Sequence, residues 1–169
     1  MHIFILFITL LISVYTDIRS RKILNKVTLP AILIGLIYHS IISGFNGFTF
    51  SGLGLLVGIG LLFIPFAMGG MGAGDVKLMG AIGALMGSSF VFTTFLYTAI
   101  IGGLISLYIM IRRKELLSFF KRAMFSAVLL KETKGSVNIL EKRDLAPSFP
   151  YGVAIALGAL CAYLFGGIL

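Results

Sequence analysis

A chain of 169 residues that is 59% hydrophobic, with mean hydropathy +1.08 and only 12% of its residues charged, lies far from the roughly 25% charge of an average soluble domain. That composition excludes an ordinary soluble enzyme, and the length suffices for about five or six membrane crossings at about 20 apolar residues each. The net charge of +8 reads as topology rather than nucleic-acid binding, because basic residues on short cytoplasmic loops orient a membrane chain and no basic run sits on a soluble module.

The first apolar segment covers residues 1–16. It lacks the basic flank and the small-residue cleavage site of a secretory signal, and its bases, Arg19, Arg21, Lys22 and Lys26, follow the apolar run. This order predicts a retained helix with its N-terminus outside. Further segments cover 28–43, 51–68, 76–87, 90–111 and 150–168. The expected fold is therefore all-α: a polytopic membrane protein of about six transmembrane helices, forming a single domain over 1–169. Alternating directions place the charged connections, 19–26, Lys77 and 112–143, on one face. The uncharged connections, 44–50 and 88–89, fall on the other, so both termini are expected outside the cytoplasm. Segment 76–87 is the weak member, since at 1.5 Å per residue it reaches only about 18 Å. Within the polar connection 112–146, Lys114 to Ser126 carry polar and apolar residues on opposite arcs. That pattern predicts an amphipathic helix on the cytoplasmic surface of the bilayer.

Four of the six acidic residues, Glu115, Glu132, Glu141 and Asp144, belong to that connection, where a charge costs little. Asp17 and Asp75 do not. Asp17 ends the first helix and Asp75 opens the fourth, both at cytoplasmic ends, so the two can meet. An ionisable group bordering a transmembrane segment is a functional candidate, because its burial is expensive unless it is paired. The plain alternative is pairing with Arg19 and Lys77, each two residues further on. Positions i and i+2 of a helix point about 200° apart, so neither base faces its own Asp, although cross-pairing stays open.

Two carboxylates in a low-dielectric site do not both ionise readily, so one holds a proton near neutral pH. That equips them for peptide hydrolysis without a covalent intermediate. Other chemistries lack parts. The lone Cys161 excludes an internal disulfide and a multi-cysteine zinc site, His2 and His39 are too few for a metal cluster, and no serine sits in a nucleophile elbow. Neither a metal nor a cofactor is expected. A cluster of Gly69, Gly70, Gly72 and Gly74 precedes Asp75. It is expected to break the helix and give an extended peptide a side-chain-free approach to the carboxylate. Gly80, Gly83 and Gly87 are read instead as close helix packing.

Residues Gly70 to Leu78, read as GMGAGDVKL, resemble the GxGD signature of type IV prepilin peptidases, whose core is shared with presenilin-type intramembrane aspartic proteases. Asp17 to Asn25, DIRSRKILN, is similar to that family's other motif, an Asp at the cytoplasmic end of the first helix followed by bases and Asn. Leu24 replaces the proline common there. Pro150 to Gly158, PYGVAIALG, resembles the motif that opens the family's last helix. The resemblance implies catalytic roles for Asp17 and Asp75, and site-shaping roles for Gly72, Gly74, Lys77, Pro150 and Gly152. It implies substrates anchored in the lipid bilayer of the plasma (inner) membrane: precursors of type IV pilins, pseudopilins or archaeal-type flagellins, cut at the cytoplasmic face between a short basic leader and a hydrophobic helix. It also implies the short, peptidase-only form, without methyltransferase activity. The alternatives are a small proton- or ion-coupled transporter using the same carboxylates and a structural subunit of a secretion or pilus machine.

Overall fold

The computed structural model describes residues 1–112 and 151–165. Among them the ordered elements are all helices: α1 (His2–Ser20), α2 (Asn25–Ala67), α3 (Ala73–Met86), α4 (Ser88–Arg112) and α5 (Tyr151–Phe165). The chain divides into two compact units. One comprises Met1–Gly102 with Ser148–Leu169 and holds both Asp17 and Asp75. The other is Gly103–Pro147, of which only the end of α4 is described. The amphipathic helix expected over 114–126 lies outside the described residues.

Three helices, His2–Ser20, Asn25–Ala67 and Ser88–Ile109, are long and apolar enough to cross a membrane. Large apolar side chains such as Ile41, Phe45, Phe4 and Leu11 are more than two-thirds exposed, as a lipid-facing surface requires. The protein is a membrane protein. Three long apolar helices stand where about six crossings were expected, and two features of the chain bear on that count.

The first is α2. Its 43 residues would extend about 65 Å if straight, about twice the hydrocarbon core. It is not straight, for Gly44 adopts φ 56° and ψ −134°, outside helical geometry and in a region that glycine reaches without steric cost. A Cβ placed on Gly47 would collide with the backbone carbonyl of His39, so the chain doubles back at Gly44. The segments expected at 28–43 and 51–68 are the two legs of this hairpin, and most of the loop expected over 44–50 is itself helical.

The second is α3, whose 14 residues span about 21 Å. Leu78, Met79, Ala81, Ile82, Ala84 and Leu85 are completely buried, so the helix is enclosed by protein and need not match a bilayer. It lies against both legs of α2. Gly35 and Ala84 meet on the first leg, and Gly54 with Gly83 and Gly58 with Met79 on the second. At these points backbone touches backbone, as expected where apolar lipid removes any hydrophobic drive for helix pairing and van der Waals packing must supply it.

The last carbonyls of α3 have no partner within the helix, and burial would make that costly. Ser51 Oγ donates to the Ala84 carbonyl at 2.6 Å and His39 Nε2 lies 3.0 Å from that of Leu85. Both legs thus cap the same helix end. The packing reading of Gly80 and Gly83 holds, since added Cβ atoms would meet Leu55 and Ile59 at Gly80 and the Gly54 backbone at Gly83. Gly87 caps α3 at φ 86° with the Phe50 ring against it. Gly83→Ala should therefore destabilise the fold by about 3 kcal/mol or more, through overpacking that no rotamer relieves. Gly60→Ala, with nothing within 4 Å of the added carbon, should not. Thermal unfolding in detergent compares the two.

Candidate active site

Helical period carries Asp17 inward. Leu6, Leu10 and Ser13 form the buried stripe of α1 and Asp17 continues it one turn on, because α1 runs to Ser20 rather than stopping near residue 16. The helix ends at Arg21, left-handed at φ 50°, whose N–H donates to the Asp17 carbonyl at 2.8 Å. The Asp17 carboxylate is turned toward α5, where Oδ2 accepts the N–H of Gly152 at 2.8 Å. Gly152 lies in the first turn of α5, among the N–H groups that lack helical partners, and the positive end of the helix dipole favours an anion there.

Asp75 sits in the first turn of α3. Its Oδ2 accepts the N–H of Gly72 at 3.1 Å and its own N–H donates to the Gly72 carbonyl at 3.1 Å. This reciprocal pair fixes the carboxylate over the helix start. Gly69, at φ 76°, makes the turn that ends the second leg of α2. Gly74 departs from expectation, since it lies inside the first turn of α3 rather than in the loop. Its role there is spatial, because an added Cβ would stand 2.9 Å from the Cβ of Ile23.

Asp17 and Asp75, at most 8% exposed, line one cavity of about 230 Å³ together with Arg21, Lys22, Ile23, Gly72, Ala73 and Gly74. Arg19 and Lys77, the bases nearest to the two Asp residues in sequence, are engaged elsewhere. Arg19 Nη1 donates to the Tyr15 hydroxyl at 2.7 Å and Lys77 Nζ to Asn25 Oδ1 at 2.9 Å. Asp75 lies outside the three spans, and its carboxyl is pushed up to about 6. Burial is the main cause and the charge of Asp17 the next, with donation from Gly72 opposing both. Removing the Asp17 charge should therefore lower the Asp75 pKa. Carboxyl-carbon NMR of labelled protein in micelles should show Asp75 titrating near 6 in the parent and lower in Asp17→Asn.

The sequence profile of the type IV leader peptidase family matches residues 4–107. The chain belongs to the type IV leader peptidase family. It is accordingly a membrane protease of the leader-peptidase kind, and the matched stretch takes in Asp17, Asp75 and the glycine turn between α2 and α3. No curated protein and no solved structure matches the chain.

Of the residues singled out from sequence, Gly72 and Gly74 border the cavity, Gly152 touches Asp17, and Lys77 reaches away to Asn25. Pro150 lies outside the described residues. Sequence reasoning passed over Ile23, whose packing partner Gly74 carries no side chain to advertise it. It also passed over Asn25 as a partner of Lys77, although Asn25 stands in the motif that carries the first Asp.

Proposed function

We propose that Asp17 and Asp75 are the catalytic pair of an aspartic endopeptidase. In this reading it removes the short basic leader from type IV prepilin, pseudopilin or preflagellin-like precursors at the cytoplasmic face. The observation that carries the reading is the shared cavity, which brings together the two acidic residues outside the polar connection 112–146. The ionised carboxylate takes a proton from water as the water oxygen adds to the scissile carbonyl carbon, and the protonated one gives its proton to that carbonyl oxygen, which leaves a gem-diol. As the C–N bond breaks, the carboxyl that took the water proton passes it to the amide nitrogen and the other carboxylate takes a proton from a diol hydroxyl, so the pair regains its one shared proton. Family membership supports peptide hydrolysis over a proton- or ion-coupled transporter. Methyl transfer forms no part of the reading.

The cytoplasmic assignment rests on charge. Arg19, Arg21, Lys22, Lys26 and Lys77 cluster around the helix ends that carry the two Asp residues, whereas the turns at Gly44 and Gly87 carry no base. The peptide would enter over Gly72, where the absent side chain lets an extended backbone come close to Asp75. Co-expression with membrane-anchored prepilin-like candidates tests the whole reading: leader loss on a gel, dependent on both Asp residues, is expected. Failure to shorten any precursor with a basic leader and a hydrophobic helix would overturn it.

A further inference from the structure

Between the two carboxylates the chain makes a short bridge. From Asp17 it leaves α1 through the left-handed Arg21, passes Lys22 and Ile23 outside any helix, and starts α2 at Asn25 after an extended Leu24 (φ −77°, ψ 130°). Two contacts tie this bridge to the first turns of α3. Ile23 lies over Gly74, where even a methyl group would crowd it, and Lys77 Nζ donates to Asn25 Oδ1 at 2.9 Å. The two ties flank Asp75 in sequence, one residue before it and two after. Lysine carries only donors, so the acceptor oxygen of Asn25 is the atom that must face it. Lys77 also points about 200° around the helix from Asp75, which leaves the carboxylate free to face the cavity.

Resting on the reading of Asp17 and Asp75 as the catalytic pair, we propose that Asn25 and Lys77 are positioning residues: their hydrogen bond latches the α1–α2 connection onto α3 and so sets the spacing of the two carboxylates. Asn25 is exposed and Lys77 half-buried, and a hydrogen bond so placed adds little to stability. Its weight falls on geometry, since a displacement of about 1 Å at reacting groups is worth about a hundredfold in rate.

The test uses Lys77→Met, which keeps the stem and removes the donor, Asn25→Leu, which keeps the branched shape and removes the acceptor, their double variant, and Asn25→Asp, which keeps an acceptor opposite Lys77. Full-length protein in detergent is assayed on a leader-bearing membrane precursor, with melting temperature measured alongside. Either single loss should lower kcat about tenfold or more while KM stays within about twofold. The double variant should fall no further than the singles, because one bond is lost in all three, and Asn25→Asp should recover most of the rate. Melting temperatures should stay within about 2 °C of the parent. The acid and alkaline limbs of the pH–rate profile should also draw together, because carboxylates held further apart share a proton less strongly. An unchanged kcat, a change confined to KM, independent multiplying losses in the double variant, or a loss of rate that follows a loss of folded protein would each overturn the latch. Asp75→Asn in the same assay separates the two levels: cleavage surviving there removes the catalytic pair itself, whereas cleavage abolished there with the latch variants fully active removes only the latch.

Discussion

Asp17→Asn and Asp75→Asn should each lower leader cleavage by at least about a thousandfold, because each removes one partner of a proton-sharing pair and with it both the base and the acid function. Asparagine is the informative replacement. It keeps the size of the side chain and an oxygen that can accept the N–H of Gly152 or Gly72, the bonds that hold these carboxylates at 2.8 and 3.1 Å. The helix starts of α5 and α3 therefore keep their caps. A neutral amide also costs less to bury than a carboxylate, so insertion and melting temperature should be unchanged or slightly improved. Alanine at the same positions would lose the caps as well and confuse chemistry with folding. A gel assay for leader removal, paired with thermal unfolding, separates the two effects, and full cleavage by either Asn variant would remove that residue from catalysis.

Much of the site was legible because charge is rare in this chain. With acids so few, the two outside the polar connection stood out, and positive-inside bias alone brought their helix ends to the same side. The glycine run before Asp75 likewise located the break between α2 and α3, since helix propensity falls sharply there. What the sequence obscured depends on contact rather than composition. The reversal at Gly44 falls inside the connection read over 44–50, but a period of 3.6 does not show that most of that connection is itself helical. Nor does it show that α3, read as a short segment over 76–87, is enclosed by protein: Ile82 and Leu85 are completely buried where Gly54 and Gly58 press backbone against α3. The Gly74–Ile23 and Asn25–Lys77 contacts join parts of the chain that no local pattern connects.

Gly152→Ala should lower cleavage about a hundredfold while leaving the protein folded, and the opposed effects on helix and site make it a discriminating change. Alanine is the better helix former by about 1 kcal/mol, so α5 by itself should gain. The added carbon, however, would stand 2.7 Å from Oδ2 of Asp17 and 3.2 Å from its Cβ and Cγ, closer than such atoms pack. Asp17 is anchored in the last turn of α1, so its carboxylate must rotate away and give up the Gly152 N–H. That rotation moves the group relative to Asp75 and to any bound carbonyl, and a misplacement of about 1 Å costs about a hundredfold in rate. Gly102→Ala is the matched control at another glycine beside α5: its added carbon meets the Cβ of Ala154 at 3.6 Å, an ordinary contact, and cleavage should stay within about twofold of the parent. Steady-state kinetics on both variants, read against their melting temperatures, decide the matter. If Gly152→Ala cleaves like Gly102→Ala, the close approach of Asp17 to α5 does not hold the carboxylate in its working position. If cleavage falls while folding holds, the start of α5 belongs to the machinery that aims Asp17, although it lies beyond the stretch by which the family is matched.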